Sequence, residues 1–437
     1  MRLLRAAGLC CILLTVLAVL PRGELQAAEP LHVQIDRLIA EAAGEVPLAP
    51  RSGDAEFVRR AYLDLAGRIP TAAETRRFLE DSAADKRAQL TAGLLQSPEH
   101  PRRMEELFHA MLMERRGENE EWSKFLRLAF EQNLPWHRVA AAVLNPDADS
   151  EQLRGAAYFL TGRLVSEGAM APVDVPGLTR DVGRLFAGID LQCAQCHDHL
   201  TIPHYHQQHF QGLNLIFENV KTRRDVKFPA VAESVMKEKK EFKSVFGTEA
   251  NFTGPVIPGG EEVAIMTFEK GEEFAVPPDS KTRFPGKPKF SPLSELAGGL
   301  ASAENSLFAR NIANRLWFVM LGRGLVEPLD LIHADNPASH PELLDLLARE
   351  IAAHDYDIRW FLQELALTET WQRTSVLEGR EPPPLASYAV AMEKRISPEQ
   401  LFWSLGIATG EFDALRAERD AKSEKKPKQP AAGGEQT

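Results

Sequence analysis

The chain has 437 residues, of which 26% are charged and 44% are hydrophobic, and its formal net charge is −11. Removal of residues 1–28, which carry three Arg and one Glu, would bring the net charge near −13. Such an acidic chain lacks the basic surface that nonspecific binding to phosphates needs, so nucleic acid is not an expected partner. The chain is long enough for a hydrophobic core to stabilise it without a disulfide framework.

Residues 1–28 have the pattern of a secretory signal peptide. Arg2 and Arg5 precede an apolar run of fifteen residues, 6–20, which is short for a membrane span. Two alanines at the end of the segment suit cleavage by signal peptidase. We therefore expect export to the periplasm or another extracytoplasmic compartment, with no stable membrane insertion after cleavage.

The segment that follows is predicted to be helical. Apolar residues recur at helical spacing over 54–66, where Gly67 and Pro70 end the pattern. Thr71 and Glu74 have the spacing of a capping box for the next helix. Further helices are predicted at 85–96, 102–115, 121–131, 136–144, 174–187 and 205–218.

Residues 221–292 differ in composition, because Lys, Pro and Gly dominate and several Gly-Pro and Pro-Gly pairs interrupt regular structure. Two short alternating runs, 263–268 and 273–276, are predicted to be strands. We interpret this segment as a connection between two helical units, with one small sheet.

Helical periodicity returns at about 293. It is clearest over 305–321, and three further helices have start signals: Ser339 with Glu342, Asp357, and Ser397 followed by Pro. The tail 416–437 is polar and has no apolar side chains to bury, so it is predicted to be disordered.

The predicted fold class is therefore mainly α, with two helical units joined by a Pro/Gly-rich segment that has minor β structure. The boundaries that we assign are 31–220 for the first unit, 221–292 for the connection and 293–415 for the second unit.

The most informative segment is Cys193-Ala-Gln-Cys196-His197, followed by four more histidines. Five of the 12 histidines of the chain lie within 197–209. Cys-x-x-Cys-His is the spacing at which haem c is attached, with two thioether bonds and the histidine as an iron ligand. Loss of the signal peptide would leave Cys193 and Cys196 as the only cysteines of the chain.

Under this interpretation Cys193, Cys196 and His197 bind haem c, and apolar residues on both sides of the motif provide its surroundings. A second axial ligand would come from a nearby histidine or from a methionine such as Met170. The protein would then transfer electrons.

Two alternatives remain open. Zinc or iron could be held by the two thiolates together with imidazoles, because this donor set suits tetrahedral sites. The candidate metal ligands among the histidines are His197, His199, His204, His206 and His209. The protein would then be a binding module or a hydrolase acting on extracellular polymers. In the other alternative the Cys-x-x-Cys pair forms a disulfide and the histidines are solvated.

Outside this segment, Arg315 and Arg323 are candidates for binding carboxylates across the interface between the two units, which we interpret as a structural role. No phosphate-binding loop and no nucleophile elbow is present in the sequence, so no residue is assigned a catalytic role.

Several longer phrases resemble a known family. Residues 57–74 and 179–199 resemble the beginning and the end of the planctomycete cytochrome-like domain, PSCyt. Residues 308–317, 321–328 and 339–348 resemble PSD, the partner domain that usually follows it. The resemblance covers about 31–220 and 293–412, and it implies a cytochrome-like protein that exchanges electrons with a redox partner protein. The chain departs from the family pattern after His199, where Leu-Thr-Ile-Pro replaces the usual Pro-Phe.

Overall fold

A computed structural model of the chain describes residues 29–164, 173–377, 381–412 and 414. Helices dominate the described residues, and the β structure consists of short two-stranded sheets. This confirms the predicted class, mainly α with minor β structure. The predicted signal peptide 1–28, Met170 and the whole predicted tail 416–437 lie outside the described residues.

The first helical part contains ten α-helices among the described residues. They are α1 (Leu31–Ala43), α2 (Asp54–Ala61), α3 (Ala72–Glu80), α4 (Lys86–Gln96), α5 (Glu99–Met113), α6 (Glu120–Glu131), α7 (Trp136–Leu144), α8 (Tyr158–Thr161), α9 (Val175–Val182) and α10 (Gln207–Glu218).

Local sequence signals explain where several of these helices begin and end. The capping box is present at α3, where Thr71 accepts a hydrogen bond from the backbone N–H of Glu74 and Glu74 accepts one from Thr71. α2 and α9 each continue into one π-helical turn, over Tyr62–Ala66 and Gly183–Ala187. Each turn ends at a glycine in the left-handed conformation, Gly67 or Gly188, which a residue with a side chain adopts only with strain.

The connecting segment forms three antiparallel pairs. They are β1 (Val220–Thr222) with β2 (Val231–Glu233), β3 (Lys240–Phe242) with β4 (Asn251–Thr253), and β5 (Phe274–Val276) with β6 (Lys287–Pro288). The strand predicted at 273–276 is thus confirmed, and the strand predicted at 263–268 is wrong. Its apolar residues Val263, Ile265 and Phe268 instead pack against a small cluster of Leu215, Met236 and Phe290. The alternation of apolar and polar residues over 263–268 therefore reflects packing of one side of an irregular segment, not a strand.

The second helical part contains α11 (Pro292–Leu300), α12 (Ser306–Leu321), α13 (Pro341–Ala353), α14 (Ile358–Leu367), α15 (Glu369–Gln372) and α16 (Pro398–Thr409). The predicted caps Asp357 and Ser397 are confirmed. The predicted cap Ser339 is wrong, because α13 begins one residue later than expected, with His340 at the N-cap position. The backbone N–H of Ser339 donates to Leu325, and its hydroxyl contacts the ring of His340.

One hydrophobic core runs through both helical parts. α1 packs against α13 and α14, and α12 packs against the π-helical turn that follows α9. The indole of Trp136 lies between the rings of Phe186 and Phe308, with ring centroids 6.1 and 6.2 Å away. The two parts are therefore held together by shared apolar packing. Among the described helices, none is both long and apolar enough to cross a bilayer.

Candidate functional site

The Cys-x-x-Cys-His motif lies on a surface turn just after the π-helical turn at the end of α9. Gly188 reverses the chain, Ile189 and Leu191 enter the core, and Cys193–Gln195 form one turn of 3-10 helix. Ala194, between the two cysteines, is buried and anchors the turn. Cys193 and Cys196 are exposed and have free thiols. The turn thus presents both thiols to solvent.

The backbone of this turn is held by α10 and by the connecting segment. The carbonyl of Gln195 accepts a hydrogen bond from Gln211 Nε2 at 2.8 Å, and the carbonyl of Cys196 accepts one from the backbone N–H of Val245 at 3.0 Å. The carboxylate of Asp198 accepts one from the N–H of Gln207, in the first turn of α10, at 2.7 Å. These contacts fix the backbone and leave the two sulfur atoms unconstrained.

The ring of His197 is oriented by a backbone carbonyl. Its Nδ1 lies 2.6 Å from the carbonyl oxygen of Asp198, which can only accept, so Nδ1 carries the proton. Nε2 then has a lone pair, and it has no hydrogen-bond partner among the described residues. A backbone carbonyl that fixes the ring in this tautomer is the usual support of a histidine that ligates metal through Nε2. The ring packs against Phe246, with centroids 4.8 Å apart.

His199 holds the loop together. Its Nδ1 accepts hydrogen bonds from the backbone N–H groups of Ile202 at 3.0 Å and Thr201 at 3.3 Å. The backbone N–H of His199 donates to the carbonyl of Tyr205 at 2.8 Å. Because the Nδ1 lone pair is used within the loop, His199 is in the opposite tautomer to His197, and its role in the described structure is structural.

His206 and His209 lie at the start of α10. The ring of His206 is exposed, and its Nδ1 lies 3.6 Å from Oδ2 of Asp198. The centroids of the His206 and His209 rings are 5.3 Å apart. Burial lowers the pKa of His209, so its imidazole is neutral at neutral pH. The backbone N–H of His206 donates to Nδ1 of His209 at 3.4 Å.

The five histidines therefore do not converge on one point. Among the described residues, no three His, Cys, Asp or Glu side chains are arranged so that they could share a metal ion. The tetrahedral set of two thiolates and two imidazoles expected for zinc is thus not assembled in this arrangement. The donors needed for covalent haem attachment, Cys193, Cys196 and His197, lie together on one turn.

His204 and His209 instead line a cavity of about 540 Å³ between the two helical parts. The lining also contains His333, which lies far from the motif in sequence. Tyr205 connects the two sides, because its ring contacts both His199 and His333, at centroid distances of 6.0 and 5.9 Å. Sequence reasoning missed His333, since an isolated histidine in a loop has no local pattern that marks it.

A second polar group joins the two helical parts beside the π-helical turn. Arg315 is buried, donates to the carbonyl of Arg184 and pairs with the carboxylate of Asp330. Arg315 thus binds a carboxylate, but the prediction that it does so across the interface is wrong, because Asp330 belongs to the same helical part. At this point the salt bridge that crosses the interface is Arg184–Asp330, and Arg315 crosses it only to the carbonyl of Arg184. Arg323 has no carboxylate partner among the described residues, and its buried Nε has no hydrogen-bond partner there.

The fold and the site together define the class of this protein. It is a mainly α protein whose two helical parts share one core, and it has an exposed turn with the sequence Cys-x-x-Cys-His. Two family models match it: PSCyt2, a protein of unknown function (DUF1549), over residues 34–222, and PSD1, a protein of unknown function (DUF1553), over residues 294–436. The chain therefore belongs to the family in which a PSCyt2 domain is followed by a PSD1 domain, as its sequence resemblance predicted. No curated protein and no solved structure matches the chain.

Proposed function

We propose that this chain is an exported, c-type-cytochrome-like protein that binds one haem c covalently and transfers electrons. The observation that carries the proposal is the arrangement of the motif turn. Two exposed, free thiols are followed by a histidine whose Nδ1 is held by a backbone carbonyl. This combination supplies both attachment groups and an iron ligand with its Nε2 lone pair available.

Each residue of the turn has a distinct role in this proposal. The thiols of Cys193 and Cys196 would each add across a vinyl group, so that sulfur bonds to one carbon and the thiol hydrogen goes to the other. His197 would ligate the iron through Nε2. Haem would supply the reversible one-electron change between ferric and ferrous iron. Because the carbonyl of Asp198 already orients the His197 ring, ligation would need no change of tautomer.

Apolar side chains beside the turn support the same assignment. Phe246 packs on the ring of His197, and its neighbour Val245 is hydrogen-bonded to Cys196 through its backbone. Their exposed fractions are 72% and 65%, which is high for large apolar side chains. An apolar cofactor attached at this turn would give these side chains a partner. The site at the surface would also allow a redox partner protein to approach.

The signal-peptide pattern of residues 1–28 is consistent with this proposal, because haem c is attached outside the cytoplasm and thiols must reach that compartment. The predicted location is the periplasm or another extracytoplasmic compartment. Cleavage after residue 28 would leave a protein whose two cysteines are both in the motif.

The test is expression of the full chain together with a c-type haem ligation system, followed by denaturation. We expect the denatured protein to keep its red colour, because thioether bonds survive unfolding. Cys193→Ser combined with Cys196→Ser should abolish the attached colour. His197→Ala should leave the iron poorly ligated, with an altered reduced spectrum.

His354→Ala is the control, because this histidine is exposed and lies outside the motif loop. It should keep the attached haem. Colourless protein with free thiols would contradict the proposal. Colourless protein that contains one zinc or iron per chain by elemental analysis would favour the non-haem alternative instead.

A further inference from the structure

The cavity between the two helical parts has the size and wall of a small-molecule site. Its volume of about 540 Å³ lies within the range of ligand-binding clefts. Most of its wall is apolar, and Leu191, Ile257, Leu307 and Leu344 contribute from four different parts of the chain. The cavity histidines, which are His204, His209 and His333, lie on this wall together with Tyr205.

The loop that forms one side of the cavity is held in place. Gly259 has a left-handed conformation, and an added Cβ would lie 2.9 Å from Oδ1 of Asn305. The Asn305 side chain is buried and donates from Nδ2 to the carbonyls of Pro258 and Gly299. Because this side of the cavity is fixed by hydrogen bonds, a ligand would meet a preformed surface there.

The polar groups of the cavity define what a ligand could offer. Nδ1 of His333 accepts a hydrogen bond from the backbone N–H of Asp335 at 3.2 Å, so the ring proton lies on Nε2. This Nε2–H has no acceptor among the described residues. The hydroxyl of Tyr205 donates to the carbonyl of Ile332 at 3.1 Å, and its oxygen can still accept. His333 and Tyr205 therefore offer the cavity one free donor and one free acceptor, respectively.

The charged residues of the cavity neutralise each other. Arg310 and Asp345 both belong to the lining, and they form an ion pair. Nδ1 of His209 and Nδ1 of His333 each accept a hydrogen bond from a backbone N–H, so neither ring is a cation in this arrangement. A wall without net charge favours an uncharged ligand, because a charged one would lose its hydration without gaining a partner.

We infer that this cavity binds an uncharged, largely apolar compound that carries a hydroxyl group, which accepts a hydrogen bond from Nε2–H of His333 and donates one to the oxygen of Tyr205. The site is independent of haem attachment, although Tyr205 also contacts the motif loop through His199. The inference therefore stands or falls separately from the proposed function.

The test uses the full chain and two probes that differ only in one oxygen, 2-naphthol and naphthalene, with binding measured by equilibrium dialysis. We expect saturable binding of 2-naphthol at one site per chain. His333→Leu replaces the imidazole with an apolar side chain and removes the donor. It should weaken the binding of 2-naphthol about five- to tenfold and leave the binding of naphthalene unchanged. His354→Leu changes a histidine outside the cavity and should affect neither probe.

Two variants that fill the cavity test its location. Ala338→Trp and Ala334→Trp each place a large side chain on the lining, and each should weaken both probes at least tenfold. Two positions are used so that misfolding of one variant, seen by circular dichroism, leaves the other. Cys193→Ser combined with Cys196→Ser should bind 2-naphthol like the unchanged chain.

Absence of saturable 2-naphthol binding would overturn the inference. Unchanged binding in a folded cavity-filling variant would place the ligand elsewhere and overturn it as well. Equal affinity of 2-naphthol for the unchanged chain and for His333→Leu would contradict the assigned oxygen contact, and with it the proposed class of ligand.

Discussion

The motif turn differs from the polar junction beside the helical interface in how its polar side chains are held; the junction consists of Arg163, Asp181, Arg184, Arg315 and Asp330. At the junction, Arg163 is almost fully buried and donates to Asp181 at 2.8 Å and to the carbonyl of Leu112 at 2.6 Å. Arg184 contacts both Asp181 and Asp330, and Arg315 contacts Asp330. On the motif turn, the thiols are exposed and free, and only the backbone is held.

This difference shows which polar residues are committed to the fold. Burial raises the pKa of Asp181, but the hydrogen bonds from Arg163 and Arg184 outweigh burial and leave the pKa below its usual value. Such buried charges can be removed only at a large loss of stability, because their partners stay behind. The motif side chains have no such partners, so their chemistry is available for a ligand.

The largest expected effect comes from breaking the junction. Arg315→Leu leaves Asp330 with Arg184 alone and removes the donor to the Arg184 carbonyl and to Asn311 Oδ1. It should lower the free energy of unfolding by about 3–5 kcal/mol, measured by urea denaturation. Arg310→Leu is the control, because Arg310 lies on the same helix in an exposed pair with Asp345 and should lose about 0–1 kcal/mol. Equal losses of unfolding free energy in the two variants would show that the buried junction contributes no more to stability than an exposed ion pair.

The next test concerns the contact between Gly188 and the second helical part. A Cβ at Gly188 would lie 2.6 Å from Cδ1 of Ile332, at a φ of 68°. Gly188→Ala should therefore lower the free energy of unfolding by about 2–4 kcal/mol, from backbone strain and overpacking together.

Gly410→Ala separates these two causes. Gly410 has the same left-handed conformation as Gly188, but no described atom lies within 4 Å of an added Cβ. It should lose only about 1–2 kcal/mol from backbone strain. If both variants lost the same amount, the close approach at Gly188 would contribute nothing.

A pH test extends the comparison to a buried histidine away from the motif. Burial lowers the pKa of His100 from 6.5 to about 4, although its Nδ1 contacts the carbonyl of Leu65 at 3.0 Å. The unfolded chain binds a proton near pH 6.5 and the folded chain does not, so stability is full above that pH and is lost as the pH falls towards 4. The loss between pH 7 and pH 4.5 should be about 2–3 kcal/mol.

His100→Asn provides the reference, since its amide can donate to the same carbonyl and does not titrate. The difference between the two urea denaturation curves at each pH isolates the contribution of His100 from that of the other groups. An identical pH dependence in both proteins would disprove the assignment.

The smallest effect is expected at the motif itself. Cys193→Ser should change the free energy of unfolding of the haem-free chain by less than about 0.5 kcal/mol, because the thiol is exposed and free. Ala194→Ser, at the buried position next to it, should lose about 1–2 kcal/mol, because a buried hydroxyl needs a partner. A large loss for Cys193→Ser would mean that the thiol is part of the fold.

Much of the fold was predictable because it depends on short-range interactions. The helix at 136–144 and the caps at Thr71, Asp357 and Ser397 were identified from residues within one or two turns of each other. The misassigned strand at 263–268 had the alternation of a strand, but its apolar side chains pack against residues that lie elsewhere in the chain. No local pattern distinguishes these two outcomes.

The features of the candidate site likewise fall into two groups, those encoded by neighbouring residues and those set by the tertiary structure. The sequence by itself determined the helical class, the family resemblance and the Cys-x-x-Cys-His spacing, because each is written in consecutive or nearby residues. The tertiary structure decided that His197 and His199 have opposite tautomers, that Arg315 pairs with Asp330, and that His333 shares a cavity with the motif histidines. These features depend on which backbone carbonyls, N–H groups and distant side chains meet after folding, and sequence spacing does not encode such contacts.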